Sequence, residues 1–380
     1  MQVSEIMSAD VLSVGPDDPL TKFFSLMEEE HIHEAPVIEN KKLLGMINFD
    51  IVSKKGITDP SKQKSRSVME AKPPTFKPDL PVEDAAKLLL NSGWQAAPVV
   101  EGQKVIGIVS FWDIDMAVAG SKLFRQTLVE AVMSPAEVLS ETADIGSARV
   151  TMRERNISRM PVVNNDGKLV GIIATHDLLR SVKQPHEKMG FYEMAAEMNK
   201  ISSIPVTTIM NGNPPTIAKT ATLNDVANAF QKYNCSGLTI TENNVPIGIV
   251  TLKDLMEVYV GSFAKKGIYY QTTGLEKEDE ETIDTVHRMI GDTFLKIAHV
   301  VPIQHAFVHY KKHESGGLRT KWSVRFRVMT DRGTFMSKSW AWDARDATKE
   351  AMHNLERIFM KWKEEKKDKY KKSAKLLKGR

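Results

Sequence analysis

The chain has 380 residues, 42% hydrophobic and 26% charged, a composition that suits two or three globular domains with substantial cores. No apolar run approaches the roughly 18 residues a membrane crossing needs, MQVSEIMSADVLSV lacks the regions of a signal peptide, and one cysteine, Cys235, excludes an internal disulfide and a CxxC-type zinc site, so a cytoplasmic location is expected. The net charge of +4 is unevenly placed: residues 267–380 carry 24 Lys and Arg against 16 Asp and Glu, or +8, whereas residues 1–266 carry 28 against 32, so a polyanionic partner is expected for the C-terminal part.

In chain order, one arrangement of signals recurs four times. A methionine is followed 38 residues later by a glycine in an apolar strand: Met7 and Gly45, Met69 and Gly107, Met133 and Gly171, Met210 and Gly248. Between them comes an amphipathic helix, with Val82, Ala85, Ala86 and Leu89 on one face in the second repeat and Leu223, Val226, Ala227 and Phe230 in the fourth. A short strand follows (APVI, APVV, MPVV or GLTI), then a polar turn and a second strand (LLGMI, VIGIV, LVGII or PIGIV). Each unit ends near an aspartate that opens another helix: Asp50, Asp113, Asp177 and Asp254. HEKMGFYEMAAEMNKISSIPV, longer than the other connections, reads as a helix or linker before the fourth repeat. Cys235, in strand-like YNCSGLTIT, reads as a buried inert thiol.

Each unit resembles a CBS domain, the β-α-β-β-α module that pairs into a Bateman module. The resemblance implies two modules: residues 1–120, from repeats 1–58 and 63–120, and residues 121–262, from repeats 127–184 and 204–260. It also implies a cleft for adenosine derivatives such as AMP, ADP or ATP, at a motif of the form G-h-h-[ST]-x-x-D. The carboxylate would accept hydrogen bonds from the ribose hydroxyls, and the Ser or Thr and the helix N-terminus would serve a phosphate. GIVSFWD offers Ser110 and Asp113, and GIVTLKD offers Thr251 and Asp254. GIIATHD keeps Asp177 but has Ala174 in place of the hydroxyl residue, with Thr175 one position late and His176 as another phosphate contact; GMINFD brings Asp50 one residue early. A basic residue two before the strand proline reaches phosphate in such repeats. Arg159 holds that place in the third, against Glu34, Ala96 and Ser236 elsewhere. The same aspartates are also ordinary helix caps, and CBS pairs also serve as dimerisation modules, so a homodimer is expected. No cofactor is required by anything in the chain.

Beyond the repeats the order changes to β-α-β-β-β-α, which makes the whole an α+β protein. GIYYQTTG reads as a strand, and KEDEETIDTVHRMIGDTFLKIA as a helix with an acidic first turn and Ile283, Val286, Ile290, Phe294 and Ile297 at helical spacing. Three strands follow. In LRTKWSVRFRVMT, Trp322, Val324, Phe326 and Val328 alternate with Lys321, Ser323, Arg325 and Arg327, which predicts a half-buried strand with a basic outer face. Alternation is expected to bury two of Trp322, Trp340 and Trp342. His305, His309 and His313 share a strand face but span too far for one metal site. Asp343 opens a long helix that ends rich in lysine.

This layout over residues 267–380 resembles the ribosome hibernation-promoting factors more than the double-stranded RNA-binding domains, whose GPxH and KKxAK-type signals are not in place. It implies contact with rRNA of the small ribosomal subunit. The candidate phosphate contacts are Arg319, Lys321, Arg325, Arg327, Lys338, Arg345, Lys361, Lys363, Lys366 and Lys367. GxxxxGK, G-x-S-x-G and HExxH motifs are not found, so a binding and switching protein is expected, not an enzyme. The expected function is a ribosome-binding hibernation or translation regulator whose CBS modules sense nucleotide or join two copies. The alternative is a CBS subunit that controls a partner enzyme or transporter.

Overall fold

The computed structural model describes residues 1–30, 32–48, 51–52, 59–155, 157–180, 202–263, 269–275, 278–314, 320–330 and 333–378. The α+β chain divides into two compact units, Met1–Val129 with Pro135–Met256, and Glu130–Ser134 with Glu257–Arg380. Asp50 and most of the segment between the third and fourth repeats lie outside the described residues.

The repeats run as follows. The first has α1 (Leu20–Glu29), β1 (Glu34–Glu39) and β2 (Lys42–Asn48). The second has α2 (Val82–Ser92), β3 (Ala96–Glu101), β4 (Lys104–Ser110) and α3 (Phe111–Val118). The third has α4 (Ile145–Arg155), β5 (Arg159–Val163), β6 (Leu169–Ala174) and α5 (Thr175–Arg180). The fourth has α6 (Leu223–Tyr233), β7 (Gly237–Glu242), β8 (Val245–Thr251) and α7 (Leu252–Gly261).

Local chemistry explains these boundaries. α6 starts at a capping box in which Thr222 N donates to Asp225 Oδ2 (2.8 Å) and Asp225 N to Thr222 Oγ1 (3.2 Å). It stops at Asn234, whose φ of 46° is left-handed, where asparagine is tolerated. The hairpin between β7 and β8 turns on Asn243 and Asn244, with φ 51° and 63°, the two-residue geometry that matches strand twist. All four hairpins shift register at one equivalent place, Val37/Ile38, Val99/Val100, Val162/Val163 and Ile240/Thr241.

The methionine–glycine spacing has a cause that lies between repeats. Met69 of the second repeat packs on Gly45 of the first, Met7 of the first on Gly107 of the second, and Met210 of the fourth on Gly171 of the third. A Cβ at Gly107 would stand 2.6 Å from Met7 Sδ, closer than real contacts allow. The opening segment of each of these repeats is thus laid over the sheet of its neighbour, as the bridges Ser8↔Ile108 and Met46↔Glu70 also show. β1, β2, β4 and β3 form one sheet, joined between repeats at Lys42↔Lys104. Asn211–Gly212 pairs with β6, and Leu169 N donates to Asn244 O (2.8 Å), which joins the third repeat to the fourth.

In the second unit β9 (Tyr269–Thr273), α8 (Glu280–Ala298), β10 (Ile303–Glu314), β11 (Thr320–Thr330), β12 (Gly333–Ala341) and α9 (Ala344–Lys378) follow the expected order. The sheet order is β9-β10-β11-β12, with β9 parallel to β10 and the rest antiparallel. Val286, Ile290, Phe294 and Ile297 of α8 and Ala347, Ala351, Leu355 and Phe359 of α9 pack on Val324, Phe326 and Val328, while Phe307, Arg327 and Met329 on the other sheet face are buried as well. Gly274 ends β9 at φ 90°, where a side chain would collide with the Tyr310 carbonyl.

Candidate nucleotide cleft and basic sheet face

The aspartates that close the strand–helix junctions act first on their own backbone. Ser110 N and Oγ both donate to Asp113 Oδ2 (2.7 and 2.6 Å), and Thr251 N and Oγ1 to Asp254 Oδ2 (2.7 and 2.8 Å). In the third repeat Ala174 N donates to Asp177 Oδ2 (2.7 Å), while Thr175 Oγ1 turns away to Ser158 O (3.2 Å). Each carboxylate therefore ties down the residue that precedes the helix, the N3 half of a capping box. In all three repeats these bonds engage Oδ2, the oxygen that orients the side chain. The His176 side chain lies outside the described residues.

A cavity of about 920 Å³ in the first unit is lined by all four repeats. Ser110, Asp113, Arg159 and Asp177 are among its walls, whereas Thr251 and Asp254 are not. The second and third motifs are therefore brought together, although the residues alone favoured the second and fourth. Ser8, Asp10 and Leu12 cross the cavity beside Asp113, and Met210, Asn211 and Pro214 beside Asp177. These segments, delivered by the methionine–glycine packing, carried no motif and were missed in the sequence.

The strand-opening residues Glu34, Ala96, Arg159 and Gly237, equivalent by register, meet across each pair, so the fourth-repeat counterpart of Arg159 is Gly237 and Ser236 lies one residue earlier. Glu34 Oε2 accepts from Gln95 N (2.9 Å) and Ala96 N (2.8 Å). In the second pair Arg159 Nη2 donates to Ser236 Oγ (3.0 Å), and its guanidinium lies where a Cβ at Gly237 would be. Arg159 Nε donates to no described residue. Burial pulls the Arg159 pKa down, opposed by Cys235, Asp254 and Asp177. Burial pushes Asp113 up, against the bonds from Ser110 that pull it down. It likewise raises the Cys235 thiol, as expected of an inert cysteine. Equivalent positions thus hold a carboxylate in the first pair of repeats and a guanidinium in the second.

Asp115, one turn into α3, was not singled out in the sequence. It is fully buried, and neither carboxylate oxygen has a hydrogen bond from a described residue. Burial raises its pKa well above 3.8, and the charge of Asp254 adds to the effect.

In the second unit the sheet face opposite α8 and α9 carries, in register across the strands, Thr273, His309, Arg325 and Lys338. Thr273 Oγ1 and His309 Nδ1 share a hydrogen bond (2.8 Å). Arg327 departs from the expectation of a solvent-facing basic row. It is 4% exposed, with Nη1 on Glu257 Oε2 (2.7 Å) and Nη2 on Ser134 Oγ (2.8 Å), all within the second unit. The physical reason is that Glu257 and Ser134, remote in sequence, cover that end of the strand. Arg345 is held by Asp343 at the start of α9 (3.2 and 3.3 Å). Lys321 and Lys363 are half-buried and Lys361 is exposed; Arg319 and the side chains of Lys366 and Lys367 lie outside the described residues. Trp322 alone of the three tryptophans is in the core, at 5% exposed, against 43% for Trp340 and 60% for Trp342, so the expectation that two would be buried fails. Among the described residues no cluster of His, Cys, Asp and Glu could hold a metal ion, and no helix is long and apolar enough to cross a membrane.

The first unit holds a cavity lined by all four repeats, and the second a sheet with Arg325 and Lys338 in register. The CBS domain model matches residues 3–54, 66–120, 129–184 and 206–261, and the model for the hibernation factor Hib C-terminal domain matches residues 269–378. The chain belongs to the CBS-domain family and carries a C-terminal domain of the Hib type. Uncharacterized protein MJ1404 of Methanocaldococcus jannaschii is 31% identical over 320 residues, 83% of this chain and 75% of that one. The inosine-5'-monophosphate dehydrogenase of Thermoplasma acidophilum is 29% identical over 111 residues, 29% of this chain and 22% of that enzyme. The crystal structure of protein MJ1225 from Methanocaldococcus jannaschii shares the fold over 68% of this chain and 100% of its own, with a TM-score of 0.56 and 20% identity.

Proposed function

We propose that this chain is a ribosome-binding regulator of translation: the Hib-type domain contacts rRNA of the small subunit, and the CBS modules take adenine nucleotide and pair two copies of the chain. The observation that carries this is the Hib-type match over residues 269–378, which coincides with the +8 segment and with Arg325 and Lys338 side by side on the sheet face opposite α8 and α9. Cations in register suit a phosphate backbone, and their binding weakens steeply with salt because counterions are released. Asp113 and Asp177 in one cavity support the nucleotide part, with Ser110 and Arg159 as phosphate contacts. Such a protein works in the cytoplasm, binds and switches, and catalyses nothing itself.

Sedimentation of full-length protein with ribosomal particles is the test. Co-migration with small subunits at low salt, lost as salt rises, is the expected result; a chain that stays at the top of the gradient overturns the proposal. The second reading, a CBS subunit that controls an enzyme, draws on the CBS segments shared with the dehydrogenase and would then be preferred. Calorimetry of the full chain with AMP, ADP and ATP tests the nucleotide part, where no heat and no thermal shift would remove it. Light scattering that gives monomer mass alone at micromolar concentration would remove the dimer.

A further inference from the structure

β12 is built the wrong way round for stability alone. Its residues facing the helices include Ser337 and Ser339, both buried, while Trp340 on the opposite face is 43% exposed and Trp342, one residue past the strand, is 60% exposed. The serines have a structural reason: Ser337 Oγ donates to Ala351 O (2.8 Å) and Ser339 Oγ to Ala347 O, so α9 sits close on small side chains. Burial of an indole is worth far more than its exposure, so two exposed ones are costly to keep.

The surroundings of these rings say what they suit. Trp340 lies opposite Ser323 on β11, one row from Arg325 and Lys338, and Lys321 Nζ stands 5.4 Å from its ring centroid. Flat aromatic faces set among cations are the chemistry of single-stranded nucleic acid binding, in which bases stack on rings and phosphates meet the charges. Paired RNA cannot use such rings, because its bases are already stacked on one another. An acidic protein surface would need the cations but not two indoles.

We propose that the part of this sheet face around Trp340 is a stacking platform for unpaired RNA bases, with Trp340 and Trp342 supplying the rings and Lys321, Arg325 and Lys338 the backbone charges. This rests on the assignment of RNA as the partner, and adds the face that is used and the form of RNA it takes. It makes any contact of this domain depend on an exposed loop or strand end.

The test uses full-length protein, an oligouridylate of about 12 nucleotides and an RNA duplex of the same length, at low salt. The oligouridylate is expected to quench tryptophan fluorescence, and W340A/W342A to abolish that component and weaken binding roughly fivefold to a hundredfold for each ring. The salt slope of single-strand binding should not change, because no phosphate contact is lost, whereas Arg325→Gln with Lys338→Gln should lower it. Trp340→Phe should retain most of the affinity. Both rings are exposed, so a thermal melt of the variant is expected to match the native chain. Equal oligouridylate affinity in W340A/W342A overturns the platform, as does an equal loss of duplex binding. Polyglutamate binding that falls with the same substitutions also overturns it, in favour of an acidic protein. If W340A/W342A fails on oligouridylate yet still sediments with small subunits, the platform stands and ribosome binding is shown to use other contacts. If the native chain binds neither RNA nor ribosomal particles, the assignment of RNA falls and the platform with it.

Discussion

Arg327→Met removes one half of a buried ion pair and should destabilise the second unit. The side chains of Arg327 and Glu257 are 5% and 8% exposed, with Nη1 and Oε2 2.7 Å apart. Charges about 4 Å apart at an effective dielectric near 20 attract by roughly 4 kcal/mol, which is offset by several kcal/mol of desolvation for each ion. The intact pair therefore contributes little net stability. Without Arg327, the Glu257 carboxylate keeps its desolvation cost and loses its partner, a penalty of about 3–5 kcal/mol. Hydrogen exchange of β11 amides in the full chain should then be roughly a hundredfold to a few thousandfold faster. Arg327→Met with Glu257→Met should recover most of that loss, because no charge is left buried. If the single variant exchanges within threefold of the native chain, or the double variant is as labile as the single, the pair is not the anchor described. The result also decides how RNA contacts must be probed. A charge reversal at Arg327 would fail through folding and leave the binding question open, so Arg325→Gln is the informative change.

Gly274→Ala puts a side chain at φ 90° against the Tyr310 carbonyl, which should cost about 2–4 kcal/mol and lower the urea midpoint of the second unit; an unchanged midpoint would remove this account of the Thr-Gly strand end. Asp115 has a raised pKa when folded, so the native state holds its proton more tightly and stability falls as pH rises above 3.8. Asp115→Asn removes that slope, and the thermal stability of the variant relative to the native chain should improve as the pH rises from about 4. A constant gap would show that the carboxyl titrates normally. Arg159→Ala should weaken AMP roughly tenfold or more and leave adenosine unchanged, because only the phosphate loses a charged partner. Equal losses for the two ligands in calorimetry would assign Arg159 to support of Ser236 and the sheet instead.

Periodicity made the four repeats and the β-α-β-β-β-α order legible, because helical and strand spacings are set by the local backbone and do not depend on what lies across a cleft. The faces of β11 were equally plain: alternation sent Trp322, Val324, Phe326 and Val328 to the core. Alternation assigns a residue to a face but says nothing about what covers that face, and Arg327 shows the difference. It shares its side of the strand with Arg325, yet Glu257 and Ser134, brought from 70 and 193 residues away, close over it. Trp340 shows the converse. Hydrophobicity argues for the core, but α9 approaches the sheet so closely that serine fits there and the indole goes out.

The methionine–glycine spacing carries the same lesson for the cleft. The constant separation suggests one repeat folding on itself, whereas Met7 sits on Gly107 and Met69 on Gly45. This exchange brings Ser8 and Asp10 to Asp113, and Met210 and Asn211 to Asp177, so a cavity wall is always supplied by two repeats. A motif scored within one repeat can rank its aspartate and hydroxyl but cannot weigh the other wall. Glu34 and Arg159 occupy equivalent positions and place opposite charges on the walls of one cavity. Which wall suits a phosphate is therefore decided by a residue outside the G-h-h-[ST]-x-x-D motif, in combination with the repeat that faces it.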